Sequence, residues 1–228
     1  MINSLYDNFK HWSEDGSVYI ISDTHFDDPD CKFMNPNWPT AQEQVNTLNK
    51  YVHKTDTLIH LGDVGNIEWV KKLNCYKVLI MGNHDVGKSK YLRVEQYLNE
   101  FKNIEEAREA VSKGEIDCYE SILGILIGKK DNKLFDEVYE GPLMVAEKLI
   151  LSHEPIPDLT WCMNIHGHDH AGYITDWNHL NVASNICGHK PLNLGNLIKN
   201  GFLSDVKTLH RITIDRATEN PIKKEKNI

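Results

Sequence analysis

Short apolar runs recur along the chain, and several of them end abruptly in aspartate, asparagine or histidine. The run Val78–Met81 has no polar alternation, which is typical of a strand that is buried on both faces. Gly82 follows it directly and permits a sharp turn into Asn83, His84 and Asp85. The pattern therefore predicts a central strand whose carboxyl end carries polar side chains.

Four other apolar runs end in the same way. The polar residues that follow them are Asp23 and His25, then Asp63, then His153, and finally His166, His168 and His170. Because the carboxyl ends of parallel strands meet at one edge of a sheet, we expect these side chains to converge on a single site.

Helical patterns separate the first three of these strands. The segment Thr40–His53 begins with a Thr-x-x-Glu capping box and places Val45 and Leu48 on one helical face. Asn66 is expected to cap a short second helix. This β-α-β-α-β order predicts a parallel sheet with right-handed crossovers.

The length suits one domain, which we place at residues 1–228. Residues 88–133 interrupt the rhythm and are predicted to be a helical insertion near the mouth of the site, although Ile122–Ile127 could be a strand. Strands are predicted to resume after the insertion and to include Leu209–Ile214. The charged tail, residues 217–228, is predicted to be frayed.

The composition restricts which partners and which cellular compartment we expect. No apolar run approaches the ~20 residues that span a bilayer, and the first residues lack a basic region followed by an apolar one, so we expect a cytoplasmic protein without membrane contact. The net charge of −8 disfavours nucleic acid as a partner. The five cysteines form no Cys-x-x-Cys pair, so neither a disulfide framework nor a thiolate zinc site is predicted.

The polar residues at the strand ends are natural ligands for a pair of divalent cations, which need oxygen and nitrogen donors and an anion shared between them. Asp23 and His25 are one residue apart, so in an extended chain both side chains point to one face. His168 and His170 have the same spacing. Asp63 stands alone at the end of its strand and suits a bridging carboxylate.

Five motifs within residues 18–170 resemble those of the calcineurin-like metallophosphoesterases: SDTH, LGD, MGNHD, LSHEP and HGHDH, in the family's order. The resemblance implies an α/β (α+β) fold, a four-layer α/β/β/α sandwich with two mixed β-sheets. It implies that Asp23, His25, Asp63 and His170 hold one metal ion, and that Asp63, Asn83, His153 and His168 hold the other.

The resemblance also implies roles for residues beside the metals. His84 would stay off the metals and act on the leaving group, with Asp85 orienting its ring. His166 extends the alternation of His168 and His170, and we expect it to support the ligands from behind rather than to bind a cation. His60 lies within an apolar run and is expected to be a hydrogen-bonded core residue.

The long loop that follows His25 is expected to form a wall of the site. Its residues Asp27, Asp28 and Asp30 are interpreted as a solvated acidic turn, in preference to another cation site. Phe33 and Trp38 either stack on an aromatic group of the substrate or pack within the loop.

The leading functional hypothesis is hydrolysis of a phosphate ester in a small phosphorylated, nucleotide-like substrate by a hydroxide that bridges the two cations. Phosphodiesters, including cyclic nucleotides, are the first choice and monoesters the second. Manganese is the favoured metal, and iron, zinc and nickel also suit these ligands.

Departures from the family pattern disfavour a protein phosphatase. The Ser/Thr phosphatases of this family carry Asp-Arg-Gly after the Gly-Asp pair and Glu after Gly-Asn-His, where this chain has Val64-Gly65-Asn66 and Asp85. The chain is more similar to small bacterial and phage phosphoesterases. The alternatives are a metal-dependent nuclease and a non-catalytic protein-interaction scaffold on the same fold, the role assigned to a retromer subunit of this fold.

Overall fold

A computed structural model gives the structure of residues 3–4, 6–85, 109, 113, 116–121, 124–129, 134–174 and 176–219. The strands are β1 (Asn3–Ser4), β2 (Val18–Ile21), β3 (Thr57–His60), β4 (Tyr76–Ile80), β5 (Ile116–Ser121), β6 (Gly124–Lys129), β7 (Glu137–Tyr139), β8 (Leu143–Ala146), β9 (Leu149–Leu151), β10 (Met163–His166), β11 (His179–Asn181) and β12 (Leu192–Asn193). The helices are α1 (Tyr6–Glu14), α2 (Cys31–Met34), α3 (Ala41–Tyr51), α4 (Leu194–Lys199) and α5 (Leu209–Glu219), with a 3₁₀ helix at Ile67–Lys72.

Two mixed five-stranded sheets form the body of the protein, as the resemblance implies. The first has the order β12-β2-β3-β4-β7 and is parallel except for β12. The second has the order β1-β8-β9-β10-β11, in which only β8 and β9 pair antiparallel. The strands with polar ends are therefore divided between the sheets, with β2, β3 and β4 in the first and β9 and β10 in the second.

Burial on both faces explains why the strand sequences lack alternation. In β3, Ile59 belongs to the core between the sheets, together with Leu151 and Ile165. Its neighbour Leu58 points the other way and packs in the core that includes Leu48 of α3. A strand in this position must be apolar on each side. None of the described helices is long and apolar enough to cross a membrane.

The predicted caps of the first two helical segments are confirmed. The Thr40 hydroxyl accepts a hydrogen bond from the Glu43 amide at 3.3 Å, and the Glu43 carboxylate accepts one from the Thr40 amide at 2.8 Å. The Asn66 side chain accepts from the Glu68 amide at 3.1 Å, at the start of the 3₁₀ helix. Caps of this kind typically contribute about 1 kcal/mol each, so local sequence positions these helices.

The prediction of a strand at Leu209–Ile214 is wrong, because these residues form the first turns of α5. The Thr208 hydroxyl accepts from the Arg211 amide at 3.1 Å, a cap that the alternating apolar pattern concealed. Asp215 adds ion pairs with Lys207 and Arg211 at 2.7 and 2.9 Å. The helix also includes residues 217–219 of the tail predicted to be frayed.

The predicted helical insertion is described only in part. Its described strands, β5 and β6, form an antiparallel hairpin that overlaps the strand proposed at Ile122–Ile127. The prediction of helix is therefore wrong for the residues of β5 and β6. Most of the remaining insertion, and tail residues 220–228, lie outside the described residues.

His60 is a buried, hydrogen-bonded core residue, as expected. Its Nδ1 accepts from the Gly62 amide at 3.1 Å, and its Nε2 lies 3.0 Å from Oγ1 of Thr24, whose hydroxyl donates to the Val64 carbonyl. Burial lowers the pKa of His60 from its ordinary 6.5 to about 3. The ring is therefore neutral, with its proton on Nε2.

Acid should weaken the fold through His60. Because the unfolded ring takes up a proton near its ordinary pKa and the folded ring does not, stability falls as the pH drops below that value. We expect acidification from about pH 7 to about pH 5 to remove about 2 kcal/mol through this group. Urea unfolding of the chelator-treated protein at both pH values measures this loss. A His60→Asn variant that loses as much stability as the wild type would contradict the assignment.

Candidate metal centre

The two sheets are joined where β2 and β11 end. Ser22 forms a parallel bridge with Ala183, in which the Ser22 amide donates to the Val182 carbonyl at 3.0 Å and the Ser184 amide donates to the Ser22 carbonyl at 2.8 Å. This joint brings the polar ends of β2, β3 and β4 beside those of β9 and β10. The convergence predicted for one sheet edge is thus achieved by two.

One group of candidate ligands combines Asp23, His25 and His170, whose ligand atoms all lie within 4.8 Å of one another. His170 Nε2 is 3.6 Å from Asp23 Oδ1. Asp63 approaches the same group, because its Oδ2 is 3.7 Å from His25 Nε2. The four side chains expected around one cation are therefore together.

The second group combines Asp63, His153 and His168. Asp63 Oδ2 is 3.4 Å from His153 Nε2, which is 3.2 Å from His168 Nδ1. The side-chain oxygen of Asn83 lies 2.9 Å from that His153 nitrogen and 3.1 Å from that His168 nitrogen. The same oxygen of Asp63 thus faces both groups, which is the position that a bridging carboxylate needs.

The unsatisfied polar atoms of the first group fit a cation. Asp23 Oδ1 and His25 Nε2 are buried, and neither has a hydrogen-bond partner in the described structure. The other Asp23 oxygen accepts from the His168 amide at 2.9 Å. A buried polar atom without a partner costs about 1–3 kcal/mol, and a divalent cation between these atoms would remove that cost.

Electrostatics keep Asp63 ionised. Burial opposes its ionisation, but the hydrogen bond and charge of His153, the His84 amide and the charge of His25 outweigh burial and lower the pKa of Asp63 to about 2. For His153, burial lowers the pKa, but the hydrogen bond to Asp63 and the charges of Asp23 and Asp63 raise it overall. A carboxylate amid imidazoles is thus a ready anionic ligand.

The backbone is left-handed rather than extended at four of the seven candidate ligands. The φ angles are 55° at Asp23, 43° at His25, 55° at Asp63 and 66° at His168. The extended alternation predicted for Asp23 and His25 is therefore wrong, although both side chains do reach one group. His168 and His170 instead point into different groups. Such conformations cost about 1–3 kcal/mol each outside glycine and cluster at functional sites.

Two glycines let the main chain lie directly against the carboxylates. A Cβ on Gly82 would stand 2.2 Å from Asp63 Oδ1, and a Cβ on Gly167 would stand 2.2 Å from Asp23 Oδ2. Both contacts are far shorter than any real Cβ contact. Close packing around the ligands therefore requires Gly82 of the MGNHD motif and Gly167 of the HGHDH motif.

The sequence profile of the calcineurin-like phosphoesterase superfamily domain matches residues 17–197, a stretch that includes every candidate ligand. The chain belongs to this superfamily. A solved structure from Aquifex aeolicus, AQ665, described as a protein of unknown function, is 23% identical, with a TM-score of 0.50 over 80% of this chain and 98% of that chain. That likeness shows the fold alone. No curated protein matches the chain.

Membership in the calcineurin-like superfamily implies hydrolase activity on phosphoesters and the binding of divalent metals. The two groups of aspartate and histidine supply candidate ligands for those metals. The motifs that suggested the family are therefore also the residues that the fold brings together.

In this superfamily member, His84 lies at the open side of the centre and belongs to neither group of ligand atoms. Its side chain is 52% exposed, and its Nε2 lies 3.9 Å from Asp63 Oδ2. Its ring centre is 5.4 Å from that of His25. The ring is thus close to the shared carboxylate and accessible to a substrate.

Asp85 does not orient the His84 ring, so that part of the prediction is wrong. Its carboxylate is buried and accepts main-chain hydrogen bonds from Asp63 at 2.7 Å, Gly82 at 2.8 Å and Val64 at 3.3 Å. Burial raises the pKa of Asp85 more than these amides lower it. Asp85 therefore ties the loop after β3 to the loop after β4 and positions Asp63.

Residues outside the motifs orient the candidate ligands. Asp28 Oδ2 lies 3.1 Å from His25 Nδ1, and Asn185 Oδ1 lies 3.0 Å from His170 Nδ1. Within the LGD motif, the Leu61 carbonyl accepts a hydrogen bond from His153 Nδ1 at 2.8 Å. In each ring, this contact leaves Nε2 to face the centre. The interpretation of Asp28 as a solvated acid is wrong, and its spacing of three residues from His25 was the available signal.

The loop after His25 packs as a wall of the centre. Trp38 is 3% exposed, and its ring centre lies 5.9 Å from that of His170 and 6.5 Å from that of His25. Trp38 is therefore packed against the rings of candidate ligands and has no exposed face for a substrate to stack on. Phe33 is 87% exposed. Asp27 accepts hydrogen bonds from side chains at the 3₁₀ helix, which fastens the loop to the body.

His166 is buried and joins neither group of candidate ligands. Its Nδ1 donates to the Gly167 carbonyl at 2.8 Å, and its ring centre is 5.6 Å from that of His179. Burial lowers the pKa of His166. It thus contacts the start of the loop that carries His168 and His170, and its supporting role stays a prediction.

Removing the Asp28 carboxylate should weaken metal binding. Asp28→Asn loses the charge that fixes the His25 ring, and such partners typically contribute about 10–100-fold in metal affinity. Calorimetric titration of Mn²⁺ into the chelator-treated protein measures the change. Asp30→Asn, in the same loop, is the matched control. Equal affinities in the two variants would show that Asp28 does not act through His25.

Proposed function

We propose that the protein is a phosphodiesterase that works with two divalent cations. The proposed ligands are Asp23, His25, Asp63 and His170 for one cation, and Asp63, Asn83, His153 and His168 for the other. The observation that supports this proposal is the single Asp63 oxygen that lies 3.7 Å from His25 Nε2 and 3.4 Å from His153 Nε2. One carboxylate shared by two ligand groups is what a two-cation centre requires.

Two bound cations would supply an activated water and neutralise charge on the phosphate oxygens. Asp63 stays ionised and holds the two ligand groups together. His84 would donate a proton to the oxygen of the leaving alcohol, which its exposure and its nearness to the centre permit. Asp85 holds the two loops that carry these residues, through three main-chain hydrogen bonds.

The proposed substrate is a small phosphodiester such as a nucleotide-like ester, with manganese as the proposed metal. The net charge of −8 does not favour long nucleic acids as substrates. Nitrogen and oxygen ligands suit manganese, iron, zinc and nickel, so reconstitution with each metal is needed to identify the one that supports activity.

The test begins with protein stripped by a chelator and reloaded separately with Mn²⁺, Fe²⁺, Zn²⁺ or Ni²⁺. We expect two metal ions per chain and faster hydrolysis of bis(p-nitrophenyl) phosphate than of p-nitrophenyl phosphate. Labelled single- and double-stranded DNA are expected to remain intact. If the protein carries two Mn²⁺ ions and hydrolyses neither ester, the proposed phosphodiesterase activity is contradicted and a non-catalytic scaffold is favoured.

A further inference from the structure

The turn that carries Asp23 and His25 is held by residues outside the candidate ligands. Asp23 and His25 have left-handed φ angles of 55° and 43°, and Thr24 lies between them. Such angles are unfavourable for residues that have a side chain, so the turn persists only where neighbouring groups fix it. The contacts of its main-chain carbonyls therefore influence how well the turn presents its two ligands.

Gln44 of α3 holds the carbonyl of Thr24. Its Nε2 donates to that carbonyl at 3.0 Å and lies 3.5 Å from the Pro39 carbonyl. Because two carbonyl oxygens face this atom, it must be the nitrogen of the side-chain amide. Gln44 is 2% exposed, so the contact is shielded from water. The turn is therefore fixed from the side of the helix.

Ser184 holds the neighbouring carbonyl from the other sheet. Its hydroxyl donates to the Asp23 carbonyl at 2.7 Å, and the residue is fully buried. Ser184 follows β11 of the second sheet, whereas Gln44 lies on a helix that packs in the core with residues of the first. Gln44 and Ser184 together form a carbonyl clamp around the turn.

The other atom of the Gln44 amide is unfavourable for the fold. Oε1 is buried and has no hydrogen-bond partner within the described part of the chain. An apolar side chain of the same length would avoid burying this oxygen. Space filling alone therefore does not explain a glutamine at this position, whereas the bond from its nitrogen to the Thr24 carbonyl does.

We propose that Gln44 and Ser184 are positioning residues for the first cation, the one assigned to the group that contains Asp23 and His25. The inference rests on the two-cation centre of the proposed function. Without the carbonyl clamp, the turn would present both ligands in a smaller fraction of the molecules, and the apparent affinity would fall by the same factor. The second cation shares only Asp63 with the first, so it should depend much less on the clamp.

Replacing Gln44 by methionine removes the donor and keeps the length of the side chain. We expect Gln44→Met to raise the Kd of one Mn²⁺ ion by about tenfold or more, as is typical of residues that orient ligands from outside. The Kd of the other ion should stay close to that of the wild type. Calorimetric titration of Mn²⁺ into the chelator-treated full chain measures both. Gln42→Met, the same substitution at an exposed position of α3, is the matched control.

Removing one ligand from each group identifies the cation that is weakened. His170→Ala disables the first position, so adding Gln44→Met should not weaken the remaining Mn²⁺ further. His168→Ala disables the second position, so adding Gln44→Met should weaken the remaining Mn²⁺ by the same factor as in the wild type. Equal weakening in both backgrounds would show that Gln44 supports the whole centre, and would overturn the assignment to one cation.

Ser184→Ala tests the carbonyl clamp from the second sheet. It removes the hydroxyl that donates to the Asp23 carbonyl, so it should weaken the same cation as Gln44→Met does. The same two backgrounds, His170→Ala and His168→Ala, identify that cation. Ser204→Ala, at an exposed serine, is the control and should bind both ions as the wild type does.

Two measurements on the metal-free protein separate positioning from a general loss of structure. Gln44→Met leaves the Thr24 carbonyl unpaired but also removes the unpaired Oε1, so we expect the Tm to shift by less than about 4 °C. The amides of Asp23 and His25, which donate to the loop after β3, should exchange with solvent faster when followed by NMR. The Gly167 amide, on the loop after β10, should exchange as in the wild type.

The outcomes distinguish this inference from the function on which it rests. If the wild type binds fewer than two Mn²⁺ ions, the two-cation centre itself fails. If the wild type binds two ions and both Gln44→Met and Ser184→Ala bind them equally well, the carbonyl clamp is overturned while the centre stands. A lower Tm with faster exchange throughout the chain would give Gln44 only a structural role, and would also overturn the inference.

Discussion

Replacing Asp63 by asparagine is expected to abolish turnover and to disturb both metal positions at once. The single Asp63 oxygen faces both ligand groups, and an amide cannot supply the anion that two cations share. A loss of several kcal/mol of transition-state stabilisation corresponds to a fall in kcat of about 10³-fold or more. Metal content by elemental analysis and hydrolysis of bis(p-nitrophenyl) phosphate measure the two effects together.

A surface carboxylate provides the control for Asp63. Asp205 is exposed and lies in the segment between α4 and α5, so Asp205→Asn should keep two metal ions and full activity. If Asp63→Asn also binds two ions and turns over the diester at the wild-type rate, the shared-carboxylate assignment fails. Loss of only one ion with residual activity would also contradict it, because both groups are expected to need the same oxygen.

Replacing His84 by alanine is expected to slow catalysis without loss of metal. His84 lies outside both ligand groups, so the cations should stay in place, but the leaving oxygen loses its proton donor. A positioned general acid typically contributes about 10²–10⁴-fold. We therefore expect two metal ions per chain and a fall in kcat of about 10²-fold or more on a cyclic nucleotide, whose leaving group is an alkoxide.

Leaving-group dependence separates proton donation from a merely structural role. p-Nitrophenolate leaves readily without a proton, so His84→Ala should affect bis(p-nitrophenyl) phosphate less than it affects the cyclic nucleotide. His210→Ala, at an exposed histidine of α5, is the control and should behave as the wild type. Equal losses on the two substrates, or loss of metal from His84→Ala, would refute the acid role.

Replacing Asp85 is expected to disturb the candidate ligand Asp63 rather than the proposed proton donor His84. Asp85 accepts main-chain hydrogen bonds from Asp63 and Gly82, so its carboxylate holds the candidate ligand Asp63 rather than the His84 ring. A defect in an Asp85 variant would therefore resemble that of Asp63→Asn more than that of His84→Ala. His84 and Asp85 are adjacent in the MGNHD motif, but they contact different parts of Asp63. Asp85 accepts from the Asp63 amide, whereas the His84 ring lies beside the Asp63 carboxylate.

The sequence alone predicted many of the elements and the candidate site residues, because the patterns that indicate them are local. The Thr40 cap, the buried strand Val78–Met81 and the polar residues that follow each strand depend on the nearest few positions. The order of the motifs then pointed to the family, which the match over residues 17–197 shows. Local patterns failed where they were ambiguous, as at Leu209–Ile214, which forms a helix.

Tertiary structure alone decided how the polar residues are used. It divides the polar-ended strands between two sheets, turns the backbone left-handed at Asp23 and His25, and sends His168 and His170 into different groups. The His168 amide contacts the Asp23 carboxylate across 145 positions of sequence. No pattern confined to neighbouring residues contains such a contact, because it exists only once the two sheets have packed together.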